Sequence, residues 1–392
     1  MLLSLLVYSL SGATLFFLGW HVNRREQRLQ LQDGKQLPFY SWEIVLSILI
    51  FAVVAGARYH TGFDHAMYLE QYKHLLQAGE FSRSNFEYGF EWISKIFAWL
   101  HIHYFFYFAF WALLQIGFLY YGLRNHKHLL CWIGLGIMCG SYFLGWMNSI
   151  RQSVIVCLFV ALVPLIRDRR FLLYAVIVVA AAFIHKSALL LLPVFMVTFL
   201  KVEDKQINRW WMLAVFAVFV LLGLKPFWID WFTNYQWFLN LTGYSNYTNM
   251  EDPNVVGQFR TLNWGPGRVS ILISNILMIW FYPQLRAHFK NDSLLPYFFF
   301  FAFIGMCLYN LLANTTHYIL RPIDYFTVFY LIVDAYLMIY LLKTNKVIVG
   351  VILAILIYTY SFFNVYKAVY RPSRTNDPFL YRTFLLTSDD SQ

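Results

Sequence analysis

The chain has 392 residues, of which 60% are hydrophobic, 21% aromatic and only 13% charged, with a formal net charge of +10. Soluble domains carry roughly 25% charged residues, so this composition excludes a water-soluble globular fold. The basic excess sits in short connections between apolar runs, where membrane topology and anionic headgroups account for it, so no nucleic-acid partner is expected.

In chain order, apolar runs lie at 2–20, 40–57, 103–122, 129–146, 150–166, 171–184, 187–200, 210–224, 269–283, 295–313, 323–342 and 347–363. Most approach the roughly 20 residues that cross a hydrocarbon core as a helix, and the short alternating strands of a barrel are absent. The runs at 171–184 and 187–200 are separated only by His185 and Lys186, which makes them two tilted helices or one broken one. The expected fold is an all-α polytopic integral membrane protein with about twelve transmembrane helices, ten if short runs merge. It forms one transmembrane domain over 1–363, with long connections at about 58–102 and 225–268 and a tail at 364–392. Met1 to Trp20 lacks the basic start and small-residue cleavage site of a signal peptide and reads as a retained first span. Cys131, Cys139, Cys157 and Cys307 fall inside apolar runs without metal-ligand spacing, so neither a disulfide nor a metal site is expected.

Short connections carry Arg24, Arg25, Arg28 and Lys35; Arg124 and Lys127; Arg167, Arg169 and Arg170; Lys201, Lys205 and Arg209; Arg286 and Lys290; Lys343 and Lys346. The positive-inside rule places these in the cytoplasm, and the two long connections, the tail and both termini outside. The long connections interleave aromatic and charged residues, as in Phe63 to Tyr72 and Trp228 to Phe232, a pattern for helices lying in the interface plane. Phe86, Phe90, Ile93, Phe97 and Leu100 recur at helical spacing with Glu87, Glu91 and Lys95 on another face, which reads as a lid or wall over an outer mouth.

Ionisable groups at bilayer depth cost several kcal/mol unless they face a cavity or a partner. Four groups of them stand at the predicted outer end of spans: Arg58; Arg151 with Gln152; His185 with Lys186; and Arg321 before Pro322. Guanidinium groups meeting in one cavity favour phosphate or diphosphate, because the planar fork binds oxygens bidentately and keeps its charge. Local partners are also available: Asp64 for Arg58 and Asp324 for Arg321, whereas Arg151 has no acidic neighbour in sequence. His185 is a candidate base, with Asp64 and Glu87 competing for that role. Arg268, more than Arg260, follows a Gly/Pro turn that would bring a basic group over the site.

The order of these motifs resembles the EpsG-like branch of bacterial polysaccharide polymerases, functionally akin to the Wzy O-antigen polymerases. The resemblance spans most of the chain and rests on Arg58 with Asp64 and Tyr68, on Phe86-Glu87-Tyr88-Gly89-Phe90, on Ile150-Arg151-Gln152, on His185-Lys186-Ser187-Ala188-Leu189, and on Tyr318 with Arg321. It implies a glycosyltransferase that joins oligosaccharide repeat units carried on undecaprenyl pyrophosphate, at the outer face of the bacterial inner membrane and without a cofactor. Arg58, Arg151 and Arg321 would hold phosphate, with Gln152, Lys186, Arg268, Tyr318 and Glu87 completing the substrate site, and His185 or Asp64 would be the base. Its partners would be the lipid-linked glycan donor and acceptor, the bilayer, and a chain-length regulator protein. A lipid-linked oligosaccharide flippase or secondary transporter, and a polysaccharide ligase, are the competing readings.

Overall fold

The computed structural model describes residues 2–62, 64–82, 86–139, 142–205, 207–224, 265–314, 320–344, 346–355 and 380–385. In chain order the α-helices are α1 (Leu2–Asp33), α2 (Trp42–Gly56), α3 (His65–Ala78), α4 (Tyr88–Trp99), α5 (Tyr104–Gly122), α6 (Leu130–Cys139) and α7 (Tyr142–Asn148). There follow α8 (Ile150–Arg167), α9 (Phe171–Ala182), α10 (Arg209–Leu222), α11 (Pro266–His288), α12 (Leu295–Leu311), α13 (Asp324–Lys343) and α14 (Val347–Ala354). Among the described residues there is no β-strand, only one isolated bridge. The all-helical membrane architecture stands. Among the described residues four helical stretches, 3–32, 104–122, 150–167 and 321–343, are long and apolar enough to cross a membrane, or five if the bent pair α6 and α7 is one span. Other apolar helices, such as α2, α9, α10 and α12, are shorter. The expected run at 187–200 is not α-helical: it forms two 3₁₀ segments, Lys186–Leu191 and Pro193–Leu200, the second opened by a proline.

The chain divides into two compact units. The first comprises 1–161, 183–185 and 346–392. In it α1 lies along α6 and α2 along α5. The first pair comes close because small residues stand at the contact: a Cβ on Gly19 would fall 2.4 Å from the backbone nitrogen of Cys131. One end of this unit gathers opposite charges, with Arg25 Nη1 and His21 Nδ1 both on Glu43 Oε1 at 2.6 and 2.8 Å, and Lys127 Nζ on Glu26 at 3.2 Å. These belong to the basic connections assigned to the cytoplasm from sequence. The opposite end carries Arg58, α3, α4 and the start of α5.

Helix α4 departs from expectation in an informative way. Phe90, Ser94 and Ala98, four residues apart, are buried, and Ser94 Oγ is 2.9 Å from the Tyr107 hydroxyl of α5. Tyr88, Trp92, Ile96 and Trp99 stand about half a turn away and are exposed. The outer face is therefore also largely apolar, with the exposed Lys95 among its aromatic residues. Small inward residues permit close packing while aromatic ones face outward.

Residues 380–385 form a strap across that same end of the first unit. Tyr59 N–H donates to the Arg382 carbonyl at 2.8 Å, Arg382 N–H to Thr61 Oγ1 at 3.0 Å, and the Tyr381 hydroxyl to the Val54 carbonyl at 2.7 Å. Tyr381 N–H also donates to Ser4 Oγ at 2.9 Å, so the strap ties α1 to the end of α2. Phe384 packs on His103, Tyr104 and Phe105 at the start of α5.

The second unit comprises 162–182 and 186–345. Here α12 packs between α10 and α13, and α11 adjoins α10 and α13. Asp292 Oδ1 accepts from the backbone N–H of Leu294 and Leu295 at 3.0 and 3.2 Å, capping the start of α12. Arg167 Nη1 donates to Ser293 Oγ at 2.7 Å nearby, so basic connections gather at this end of the unit as well.

Because the Tyr381 hydroxyl satisfies a carbonyl at the end of α2, Tyr381→Phe is expected to cost about 1 kcal/mol. A chain ending at residue 379 is expected to lose substantially more. Thermal unfolding of the detergent-solubilised protein measures both, and an unchanged midpoint in the shortened chain would show that the strap contributes nothing.

Candidate functional site

The first unit brings three sequence-predicted residues into direct contact. Glu87 occupies the N-cap position of α4 in extended conformation. One of its carboxylate oxygens, Oε2, accepts from Arg151 Nη1, and the other, Oε1, is 3.0 Å from His185 Nδ1. The three side chains are 9%, 17% and 17% exposed respectively, so the cluster is mostly enclosed yet open to a solute.

The backbone explains how positions 87, 151 and 185 meet. The first N–H groups of any helix lack an intrahelical acceptor. In α4 those of Gly89 and Phe90 both donate to the Phe183 carbonyl, at 2.8 and 3.3 Å, just past the end of α9. That contact is close enough to need glycine: a Cβ at position 89 would lie 2.7 Å from the Phe183 oxygen. The Phe86-Glu87-Tyr88-Gly89-Phe90 motif is thus a docking device. Its glycine admits the carbonyl, its two N–H groups bind it, and its glutamate then stands beside the histidine two residues further on.

Arg151 is held from a second direction. Its Nε donates to the Tyr68 hydroxyl at 3.3 Å, and its guanidinium carbon lies 4.8 and 5.2 Å from the ring centres of Phe86 and Phe90. Its other terminal nitrogen, Nη2, makes no hydrogen bond among the described residues, so half of the fork remains unused. The sequence offered Arg151 no acidic neighbour; its carboxylate partner comes from a segment 64 positions earlier.

Arg58 and Asp64 act on the segment leading into α8. Arg58 Nη1 donates to the Met147 carbonyl at 2.7 Å, and the Asp64 N–H donates to Asn148 Oδ1 at 2.8 Å. Gln115 of α5 donates to the Trp146 and Ile150 carbonyls at 3.4 and 3.2 Å. Carbonyls left free where α7 gives way to α8 are thereby satisfied, and the first turn of α8 is aimed. Arg58 is only 1% exposed, with Phe108 beneath its guanidinium at 5.2 Å, and forms no ion pair among the described residues. His65, fully buried in tilted contact with the same ring at 4.7 Å, accepts the His60 N–H at 3.2 Å. Burial, with Arg58 and His60 nearby, pushes its imidazole well below the usual histidine range, so it stays neutral. Gln152 is 2% exposed and faces the interior. Asn148, Gln115 and His65 were not singled out from sequence; Gly89 entered only as part of the Phe86-Glu87-Tyr88-Gly89-Phe90 motif, with no role of its own, although a glycine inside a helical pattern is a local signal.

The second unit collects the remaining cations at helix starts. Lys186 opens a 3₁₀ segment and is exposed, and the adjoining Ser187 Oγ is 2.7 Å from the Tyr325 hydroxyl, four residues beyond Arg321. Arg321 opens the 3₁₀ turn leading into α13. Arg268, in the first turn of α11, donates from Nη2 to Asn310 Oδ1 at 3.1 Å near the end of α12. Helix starts favour anions, since unpaired N–H groups and the dipole both point positive charge outward. Tyr318 and Arg260 lie outside the described residues. Among the described residues no group of His, Cys, Asp and Glu side chains assembles as a metal site.

A methyl group at position 89 meets a backbone oxygen that cannot move independently of its chain. Gly89→Ala is therefore expected to destabilise the protein by about 1–3 kcal/mol, the usual cost of overpacking. Thermal unfolding against Gly117→Ala, a position with open space around it, is the measurement. Equal midpoints for the two variants would remove the docking role from Gly89.

No curated protein and no solved structure matches the chain. One family model does, that of the EpsG family, over residues 41–382. The matched interval runs from the N-cap of α2 into the strap and contains every residue of the site just described. With nearly the whole chain matched, this protein belongs to the EpsG family of Wzy-like polysaccharide polymerases.

Proposed function

We propose that this membrane-bound polysaccharide polymerase joins oligosaccharide repeat units carried on undecaprenyl pyrophosphate, at the outer face of the bacterial inner membrane and with about twelve spans in all. The observation that carries the mechanism is the single Glu87 carboxylate shared by Arg151 and His185. A carboxylate on Nδ1 fixes the imidazole tautomer, leaving Nε2 as its basic nitrogen and stabilising the imidazolium formed when it takes a proton.

In this reading a hydroxyl of the incoming repeat unit gives its proton to His185 Nε2 as its oxygen attacks the anomeric carbon of the growing chain. The bond from that carbon to the diphosphate oxygen breaks with its electron pair, and the lipid diphosphate leaves. Arg151, through its unused Nη2, stabilises the developing charge, and Arg321, Arg268 and Lys186 are proposed as further substrate-binding residues. Tyr318 and Gln152 are also proposed as substrate-binding residues. Arg58 and Asp64 act as positioning residues: they hold residues 147 and 148, and so set the direction of Arg151. Asp64 is then second to His185 as a base. A chain-length regulator protein is a further proposed partner.

The test is purified protein with a single lipid-linked repeat unit, product length being read on a gel. Wild-type protein is expected to make a ladder, and a chelator to leave it unchanged. His185→Ala and Arg151→Ala are each expected to lower turnover about 10²–10⁴-fold. Arg151→Lys should fail as well if both arms of the fork are needed. Full ladders from all three variants would sink the proposed site. Transfer of the intact unit across vesicles without lengthening would favour a flippase, and long chains accumulating unattached in a deletion strain would favour a ligase.

A further inference from the structure

The outward face of α4 carries a row of exposed apolar side chains, with the exposed Lys95 standing among them, that packing within the protein does not use. Tyr88 is 83% exposed, Trp92 68%, Ile96 37%, Trp99 78% and Leu100 53%. Their spacing of three to four residues places them along one side of the helix, over about 17 Å at 1.5 Å per residue. The opposite side is the buried Phe90, Ser94 and Ala98 face, so the row cannot turn inward without undocking the helix. It starts at Tyr88, next to the carboxylate that holds Arg151 and His185.

We propose that this row is the rail along which the lipid tail of the diphosphate donor lies. The inference rests on the polymerase reading and deepens it by assigning a second part of the substrate to named residues. An amphiphile whose phosphates reach Arg151 must lead its hydrocarbon chain back into the bilayer over apolar surface continuous with the site. The row on α4 is such a surface: it begins one residue from Glu87 and is rich in indole and phenol rings, side chains suited to the boundary between headgroups and acyl chains. A branched polyprenyl chain gains contact along its length there, so tail length should be read by the enzyme as affinity and not as turnover.

The experiment compares two donors, one with a long polyprenyl tail and one with a short, water-soluble prenyl tail, on wild-type protein and on the double variant Trp92→Gln with Trp99→Gln. Both tryptophans are largely exposed, and turnover of the short donor reports whether the variant is folded. The double variant is expected to raise KM for the long donor about tenfold with kcat unchanged, while KM for the short donor stays at the wild-type value. Restoring aromatic rings, as Trp92→Phe with Trp99→Phe, should return most of the lost affinity. An equal shift for both donors, or none for either, would overturn the rail: the row would then contact bulk lipid only. Wild-type protein that elongates neither donor would overturn the polymerase reading itself, and the rail with it.

Discussion

Two backbone N–H groups at the start of α4 must find an acceptor, and the Phe183 carbonyl supplies it. Everything that distinguishes the site follows from this contact. It sets the distance between Glu87 and His185, it demands glycine at position 89, and it fixes which side of α4 faces inward. Side-chain chemistry is laid over a backbone contact that leaves no room for a side chain at position 89. This is an economical way to hold a carboxylate beside a histidine, because long side chains pointing into water are otherwise mobile.

The charges in the first unit are arranged by depth of burial. Arg151, partly exposed, and Glu87, buried beside it, neutralise one another. Arg58 lies deeper and has backbone and ring contacts in place of a carboxylate. An uncompensated buried guanidinium costs free energy, and here its charge is spread over a carbonyl dipole and an aromatic face. Its neighbour His65 is kept neutral by the same surroundings. A second positive charge beside Arg58 would have loosened the segment that aims Arg151.

Much of this was legible in the sequence, and the limits have physical causes. Hydropathy and the alternation of basic connections identified a helical membrane protein, because lipid leaves the backbone few options. His185 and Arg151 stood out as ionisable groups inside apolar surroundings, and both are at the cluster. What sequence spacing did not disclose was their common partner: Glu87 is 64 residues from one and 98 from the other, and helical periodicity speaks only to neighbours. Arg58 looked like Arg151 as a motif but differs in exposure, which depends on a strap from the far end of the chain. The second apolar face of α4 was also missed, since Tyr88 and Trp92 stand close in sequence to charged residues that suggested a wetted side. Residues 187–200 looked like a span from composition, yet a proline and the turn just before His185 favour a tighter coil than the α-helix.

The strap at 380–385 has a consequence for biogenesis. Its partners are Ser4, Val54, Ala57, Tyr59 and Thr61, at the other extreme of the chain. During synthesis the early helices enter the bilayer long before residue 385 leaves the ribosome, so the carbonyl of Val54 and the side chain of Ser4 wait without these partners until residues 380–385 have been made. The first unit is therefore latched by a clasp made as many as 377 positions after the residue it binds, and a nascent chain stalled before residue 380 would be inserted but unlatched, a natural target for membrane quality control.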